Sequence, residues 1–379
     1  MPRLKKAAPP RGEQSPISPD IQETRDIAEE VKELSEQDIP DTVPYTDKDL
    51  VSSACTILNL RCSGHSEGAF RLGTMVNIVG DSHVGKSILA LSILAECAHD
   101  KRFDKYALVY DDTENASFFD IGNMFGKELA KRLTVNQSRY FEDWQSNMES
   151  YFKTDTPVIY VLDSFDGMKT IDYEKLQDEN MKRREKGQEE KGSFGDGKAK
   201  LMSGYGGRLN DGLAKTASLC VIISQTRQNI GFSAMFNPKI RSGGDALKFY
   251  AAHEVWLSVK QTEKHSKYKN EVVRTQVQAK VNKNKLTGRR GVAEFVVLEG
   301  YGIDDISSCI KYLCDFGTWS GTASSIDTKG FIDTGSISRS KLVQYIEENE
   351  KEDELYKLCQ QSYDSLIQEI SPDRKRRYA

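Results

Sequence analysis

The strongest chemical signal in the chain is the run Gly80-Asp81-Ser82-His83-Val84-Gly85-Lys86-Ser87. It fits G-x-x-x-x-G-K-[ST], the loop that cradles nucleotide phosphates. Its glycines let backbone N–H groups turn inward onto phosphate oxygens, and the positive end of the next helix faces the same anion. In that arrangement Lys86 reaches the β and γ phosphates, and the Ser87 hydroxyl holds magnesium. A chance glycine turn could carry the same letters, so the flanks decide. Thr74 to Val79 reads as a short apolar strand and Ile88 to Ala95 as a buried helix, which is the required order.

Hydrolysis asks for more than a cradle. Magnesium needs oxygen ligands, and Asp163 can supply one from the end of the apolar run 157–162. Asp163-Ser164 would equally suit a cap. A general base must also orient the attacking water. Glu114, just past the apolar run 106–110, is the candidate; Asp111 and Asp112 compete with it, and spacing does not rank the three. Gln225 ends the run 219–224 and could feel a γ-phosphate, or be a plain polar strand terminus.

These residues must be positioned by the elements that precede them. Four apolar runs alternate with helical stretches, the pattern of an α/β fold whose mostly parallel sheet is covered on both faces. Ligands in such sheets bind beyond the carboxyl ends of the strands, where Glu114, Asp163 and Gln225 fall. Residues 117–132 are expected to be helical. Residues 255–260, 272–281 and 293–298 alternate apolar and polar, predicting antiparallel strands, with 261–270 as a polar connection. From Ile303 the pattern shifts to a short helix-and-strand segment with Trp319 and Phe331, then a helix over 340–350.

Two polar interruptions carry basic residues. Residues 171–200 are too polar for a core: either a solvated insertion, or a loop that meets a polyanion through Lys182, Arg183, Arg184, Lys186, Lys198 and Lys200. Residues 226–244 interleave Arg227, Lys239 and Arg241 with Phe232, Met235 and Phe236, the charges and rings that a single-stranded nucleic acid needs.

The totals set outer limits. The 379 residues suffice for one large domain and one or two small ones, and 38% hydrophobic content supports a sizeable core. A net charge of −4 leaves nucleic-acid contact to local basic loops. The 7 cysteines form no C-x-x-C pair, which fits reduced, buried thiols rather than a zinc ribbon. No run of 18 apolar residues and no apolar leader follow Met1, so a soluble cytoplasmic protein without membrane contact is expected. Residues 1–20 read as a disordered tail, 21–36 as an exposed amphipathic helix with Ile21, Ile27, Val31 and Leu34, and 38–48 as a linker. The basic cluster 374–377 reads as a solvated tail or a weak DNA contact.

The order of motifs resembles the bacterial RecA recombinase family. Asp112-Thr113-Glu114-Asn115-Ala116 is similar to the segment whose glutamate activates water, and Val161-Leu162-Asp163-Ser164 to the magnesium-site strand. Ser224-Gln225 with Arg227, Ile230 and Gly231 resembles the nucleotide-sensing glutamine and the start of the second DNA loop. Phe236 sits where that loop has its polymer-contact phenylalanine. The run from Ser242 to Ala251, with Gly243 and Gly244, is the most specific match. Lys283-Asn284-Lys285 resembles the lysine pair that reaches a neighbouring subunit's ATP, and Gly317-Thr318-Trp319 the small C-terminal domain.

The resemblance covers about residues 50–350. It implies a RecA-type ATPase core over 50–302, with DNA loops near 169–198 and 226–243, a small α/β C-terminal domain over 303–379, and an N-terminal extension 1–49. It implies ATP and magnesium as ligands and an ATP-dependent recombinase that polymerises on single-stranded DNA and pairs it with double-stranded DNA. Single-strand-binding or loader proteins are the partners such a filament would meet. The rivals are a ring-shaped helicase of the same fold and a non-catalytic DNA-binding accessory that keeps nucleotide as a structural ligand. The first DNA loop is longer and more charged than in the family, residues 1–49 do not clearly match its polymerising elements, and Asp81, Ser82, His83 and Val84 are not its usual loop residues. These departures mark a divergent member, such as a bacteriophage protein or another distant relative.

Overall fold

The computed structural model describes residues 45–117, 119–192, 197–228, 239–241, 244–333 and 335–374. The expected tail and helix, residues 38–44 of the expected linker, the aromatic part of the second loop and most of the basic C-terminal cluster lie outside them. The described residues from Thr46 onward form one compact unit.

The apolar runs become the centre of a large sheet. Its strands are β3 (Thr74–Gly80), β4 (Ala107–Asp112), β5 (Leu133–Asn136), β6 (Val158–Asp163), β7 (Leu219–Gln228), β9 (His253–Lys264), β10 (Val272–Asn284), β11 (Gly291–Leu298) and β12 (Gly302–Asp304). A short strand β8 (Lys239–Arg241) pairs with β7 off this sheet's main path, and a separate two-stranded ribbon joins β1 (Leu50–Val51) to β2 (Phe70–Arg71). The order across the sheet is β12-β11-β10-β9-β3-β7-β6-β4-β5. The pairs from β9 through β3, β7, β6 and β4 to β5 are parallel, and β9 to β12 continue antiparallel. The three alternating segments after residue 250 are thus antiparallel strands. β9 runs on to Lys264 because the expected connection still pairs with β10.

Side-chain alternation divides the core into two layers. Val76, Ile78, Ile159, Val161, Leu219, Val221 and Ile223 face one side, against α1 (Thr56–Ser63) and α2 (Lys86–His99). Met75, Tyr160, Leu162, Cys220 and Ile222 face the other. There they meet α5 (Phe141–Lys153), α7 (Lys198–Lys215) and α8 (Asp245–Tyr250). Between β4 and β5, the single helix expected over 117–132 is two short ones, α3 (Ile121–Met124) and α4 (Lys127–Arg132). Gly126, at φ 92°, separates them.

The segment from Ile303 onward contributes α9 (Asp305–Asp315), the β13–β14 ribbon (Ser320–Thr322, Ser325–Asp327), α10 (Arg339–Glu348) and α11 (Glu352–Ile370). Cys309, Leu313, Trp319, Leu342, Leu355 and Cys359 join the same core layer as α1 and α2. The cysteines are free thiols; all are buried except the half-buried Cys314. No helix among the described residues is long and apolar enough to cross a membrane.

Candidate nucleotide site and nucleic-acid interface

Strand register gathers the chemistry at one edge. Gly80 of β3 lies opposite Gln225 of β7, and Asp112 of β4 opposite Asp163 of β6. All four are at or near the carboxyl ends of parallel strands. The glycine loop therefore leaves β3 in the crevice where such sheets bind ligands.

Two local features shape the loop. A Cβ on Gly80 would come within 2.7 Å of Val84 Cγ2 and 3.0 Å of the Leu257 carbonyl, so only glycine fits. Gly85 at φ 88° then turns the chain into α2. Lys86 is buried, and its Nζ donates to the carbonyls of Gly80 (3.0 Å) and Asp81 (2.6 Å). Burial lowers its pKa, and the carboxylates of Asp163, Glu114 and Asp81 work against that shift.

Asp163 faces this loop from β6. Its Oδ2 accepts from Ser87 Oγ at 2.5 Å and from Tyr110 OH at 2.7 Å. Burial still raises its pKa, despite both donors and the nearby Lys86. A carboxylate short of positive charge beside a hydroxyl is a hard-oxygen donor set that suits magnesium. The residues present therefore fit that ion, which the Ser87 hydroxyl and the Asp163 carboxylate would hold.

The three acidic candidates on β4 separate by environment. Asp111 is fully buried and accepts from Ser138 N (2.8 Å), Ser138 Oγ (2.7 Å) and Tyr160 OH (2.5 Å). Asp112 accepts from the backbone N–H of Ser117 at 2.9 Å and braces the following turn. Glu114 is exposed; its Oε1 accepts from Ser164 Oγ at 2.7 Å and from Gln225 Nε2 at 3.1 Å. Gln225 is held in turn by its backbone N–H, which donates to Asp166 Oδ2 at 2.7 Å. Glu114 and Gln225 thus touch each other at the rim of the phosphate loop.

The basic residues expected to contact DNA have several different environments. Arg227 is exposed, 3.8 Å from Asp166. Lys239 is exposed and paired with Asp81. The Arg241 side chain is only 6% accessible: its Nη1 donates to Glu254 Oε2 at 2.9 Å and its Nη2 to the Gly244 carbonyl at 2.7 Å. Lys198, expected on an exposed loop, is buried at the start of α7 with its Nζ on the carbonyls of Phe165 (3.2 Å) and Asp166 (3.1 Å). Lys200 is exposed on the same helix. Phe236 and Gly243 lie outside the described residues; Gly244, at φ 72°, precedes α8.

The charged insertion contains a helix, α6 (Ile171–Glu185), and it satisfies much of its own charge. Arg184 pairs with Glu190 at 2.5 Å, Lys191 with Glu179 at 2.7 Å, and Arg183 Nε donates to the Glu189 carbonyl at 2.7 Å.

Lys283 and Lys285 are placed at the other end of the strands. Lys283 pairs with Glu254, whose neighbour on β3 is Asn77, three positions before Gly80. The Lys283 amine donates to the Lys248 carbonyl and, at 2.9 Å, to that of Phe249. Lys285 reaches the Phe249 carbonyl at 3.4 Å. Both lysines therefore cap the carboxyl end of α8.

The family model of the RecA N-terminal domain matches residues 45–304. The chain belongs to the RecA family. Among similar proteins is the Protein RecA of Chlorobaculum parvum, 30% identical over 255 residues that cover 66% of each chain. The Protein RecA of Wolinella succinogenes is 28% identical over 253 residues, 65% of this chain and 64% of its own. That of Thermus thermophilus is 29% identical over 251 residues, 64% of this chain and 66% of its own. This chain thus spans just under two thirds of the length of the curated relatives it matches.

Sequence reasoning missed four participants. Tyr110 and Ser164 hold Asp163 and Glu114, Asp166 holds Gln225, and Glu254 holds Arg241. Strand register could have offered Tyr110, which lies opposite Val161 on the strand that ends in Asp163. The others depend on loop paths that no local pattern encodes.

Proposed function

We propose that this chain is an ATP-dependent DNA recombinase that polymerises on single-stranded DNA and pairs it with a homologous duplex. The supporting observation is the contact line Gln225 to Glu114 to Ser164, which joins the candidate water-activating carboxylate to the strand leading into the second loop. In this reading Gly80 to Ser87 bind the ATP phosphates, Lys86 neutralises them, and Ser87 with Asp163 would hold magnesium. Magnesium, when bound, offsets phosphate charge. Glu114 takes a proton from the attacking water as it approaches the γ-phosphate. Gln225 shifts its hydrogen bond between Glu114 and that phosphate, so the β7–β8 hairpin responds to the nucleotide. Arg227 and Lys200, with Phe236, serve the nucleic acid; Arg241, and Lys239 through its pair with Asp81, anchor the hairpin; Lys198 braces the first loop.

Lys283 and Lys285 belong to a neighbour's site in this account. They lie toward the amino end of β3 and cap α8, the helix that begins where the second loop ends. That arrangement favours a polymer with ATP between subunits, acting in the cytoplasm alongside single-strand-binding or loader proteins. Phosphate release measured with and without single-stranded DNA tests the reading. The parent should be stimulated, and Gln225→Ala should bind ATP with the stimulation lost. Equal stimulation in both would remove Gln225 from the mechanism, and no stimulation of the parent would remove DNA from it.

A further inference from the structure

Asp81 lies in the phosphate loop, yet its side chain leaves it. One carboxylate oxygen accepts from Thr226 Oγ1 and the other pairs with the Lys239 amine. Thr226 and Lys239 are on the two strands of the β7–β8 hairpin: Thr226 lies opposite Arg241, and Gln228 opposite Lys239. One carboxylate thus clasps both strands where the second loop begins and ends. The same residue's backbone carbonyl takes the Lys86 amine at 2.6 Å. Asp81 is therefore bonded through its backbone to the phosphate-binding lysine and through its side chain to the hairpin root.

The rest of the root is fixed. The Arg241 side chain is buried against Glu254, and Glu254 also accepts from Trp256 Nε1 at 2.7 Å. The Lys239–Asp81 pair is its exposed part, with side chains 54% and 45% accessible, so it can respond to charge placed nearby. The Asp81 side chain meets Thr226 and Lys239, while Gln225 bonds to Glu114 and Asp166.

We propose that Asp81 is a positioning residue that couples the phosphate loop to the β7–β8 root, and that nucleotide phosphates tighten its hold on Lys239 and Thr226. The physical reason is charge. Lys239 and Lys86 both act as cations on the Asp81 carboxylate, and phosphates that draw Lys86 away leave Lys239 as its principal cation, free of repulsion from a second ammonium. The proposal rests on the reading of Gly80 to Ser87 as a nucleotide site. It gives that site a second line to the hairpin, parallel to the one through Gln225.

Hydrogen exchange of the full chain tests it without DNA. Amide exchange in peptides covering 226–228 and 239–241 is compared with and without magnesium and a non-hydrolysed ATP analogue, at concentrations that saturate each variant by its own titration. In the parent, nucleotide should slow exchange at the root by about two- to fivefold, the range an exposed ion pair supports. Thr226→Val and Lys239→Met should lose this slowing, as should Asp81→Asn, while Gln225→Ala should keep it. Restored slowing in the swapped pair Asp81→Lys with Lys239→Asp would further support the link. Nucleotide binding with no slowing in the parent, or equal slowing in Lys239→Met, would overturn the proposal alone. No nucleotide binding by the parent would overturn it together with the functional reading beneath it.

Discussion

Replacing Glu114 with glutamine separates chemistry from structure at this site. The carboxylate accepts two hydrogen bonds on one oxygen, from Ser164 Oγ at 2.7 Å and Gln225 Nε2 at 3.1 Å. A glutamine amide oxygen can accept both, so the fold loses only the charge assistance of two bonds at an exposed side chain. That loss is about 1 kcal/mol or less. The reaction loses its base, and general-base catalysis contributes about 100- to 10,000-fold, or about 3–5 kcal/mol of barrier. Steady-state phosphate release should therefore fall by about two to four orders of magnitude, while nucleotide still binds. Ser164→Ala gives the graded control. Its buried hydroxyl orients Glu114 without being the base, and its loss should cost about tenfold in turnover. Phosphate release by Glu114→Gln at the parent's rate would refute the assignment and revive a nucleotide held only as a structural ligand. Matching losses in Glu114→Gln and Ser164→Ala would show that both act through folding.

Gly80→Ala should cut nucleotide affinity by about tenfold or more, because overpacking of about 1–3 kcal/mol falls inside the phosphate loop. Its Cβ meets Val84 Cγ2 at 2.7 Å, and a nucleotide titration reads the loss. Asp305 is buried and accepts from Thr56 N at 2.9 Å and Thr56 Oγ1 at 2.6 Å; burial pushes its pKa from 3.8 up to about 7. A raised folded-state value means stability present below about pH 4 and lost as pH rises through about 7, a contribution of about 4 kcal/mol. Urea unfolding at pH 5 and pH 8.5 should show a smaller drop for Asp305→Asn than for the parent; parallel drops would contradict the burial argument. Burial and the adjacent Lys285 lower the Lys283 amine to about 8, so its positive charge is lost as pH rises through that value. DNA-stimulated turnover should decline from pH 7 to 9 in the parent and follow a flatter profile in Lys283→Arg, whose guanidinium stays charged; superimposable profiles would remove Lys283 from the neighbour's site.

The strand, loop and helix around Gly80 to Ser87 were legible because the pattern is local. Glycine spacing, a preceding apolar strand and a following apolar helix are all contiguous in the chain. The placement of Asp163 and Gln225 at strand ends was legible for the same reason, since each closes an apolar run. Spacing left Glu114 level with Asp111 and Asp112, and only the resemblance favoured it; the fold adds what each carboxylate meets. Ser138 and Tyr160 occupy Asp111, and the Ser117 backbone occupies Asp112. Charge at the loops misled in a similar way. Lys198 and Arg241 read as solvent-facing cations, yet both side chains are buried on partners distant in sequence. α11, with Leu355, Cys359 and Tyr363 turned into the core, went unread because it opens on Glu352, Asp353 and Glu354, charges that suit a helix amino end.

Electron microscopy of the full chain on single-stranded DNA, with and without magnesium and a slowly hydrolysed ATP analogue, tests the central claim most directly. Continuous helical filaments that require both the nucleotide and the DNA are the predicted result. Closed rings, or DNA left bare in the presence of nucleotide, would contradict it.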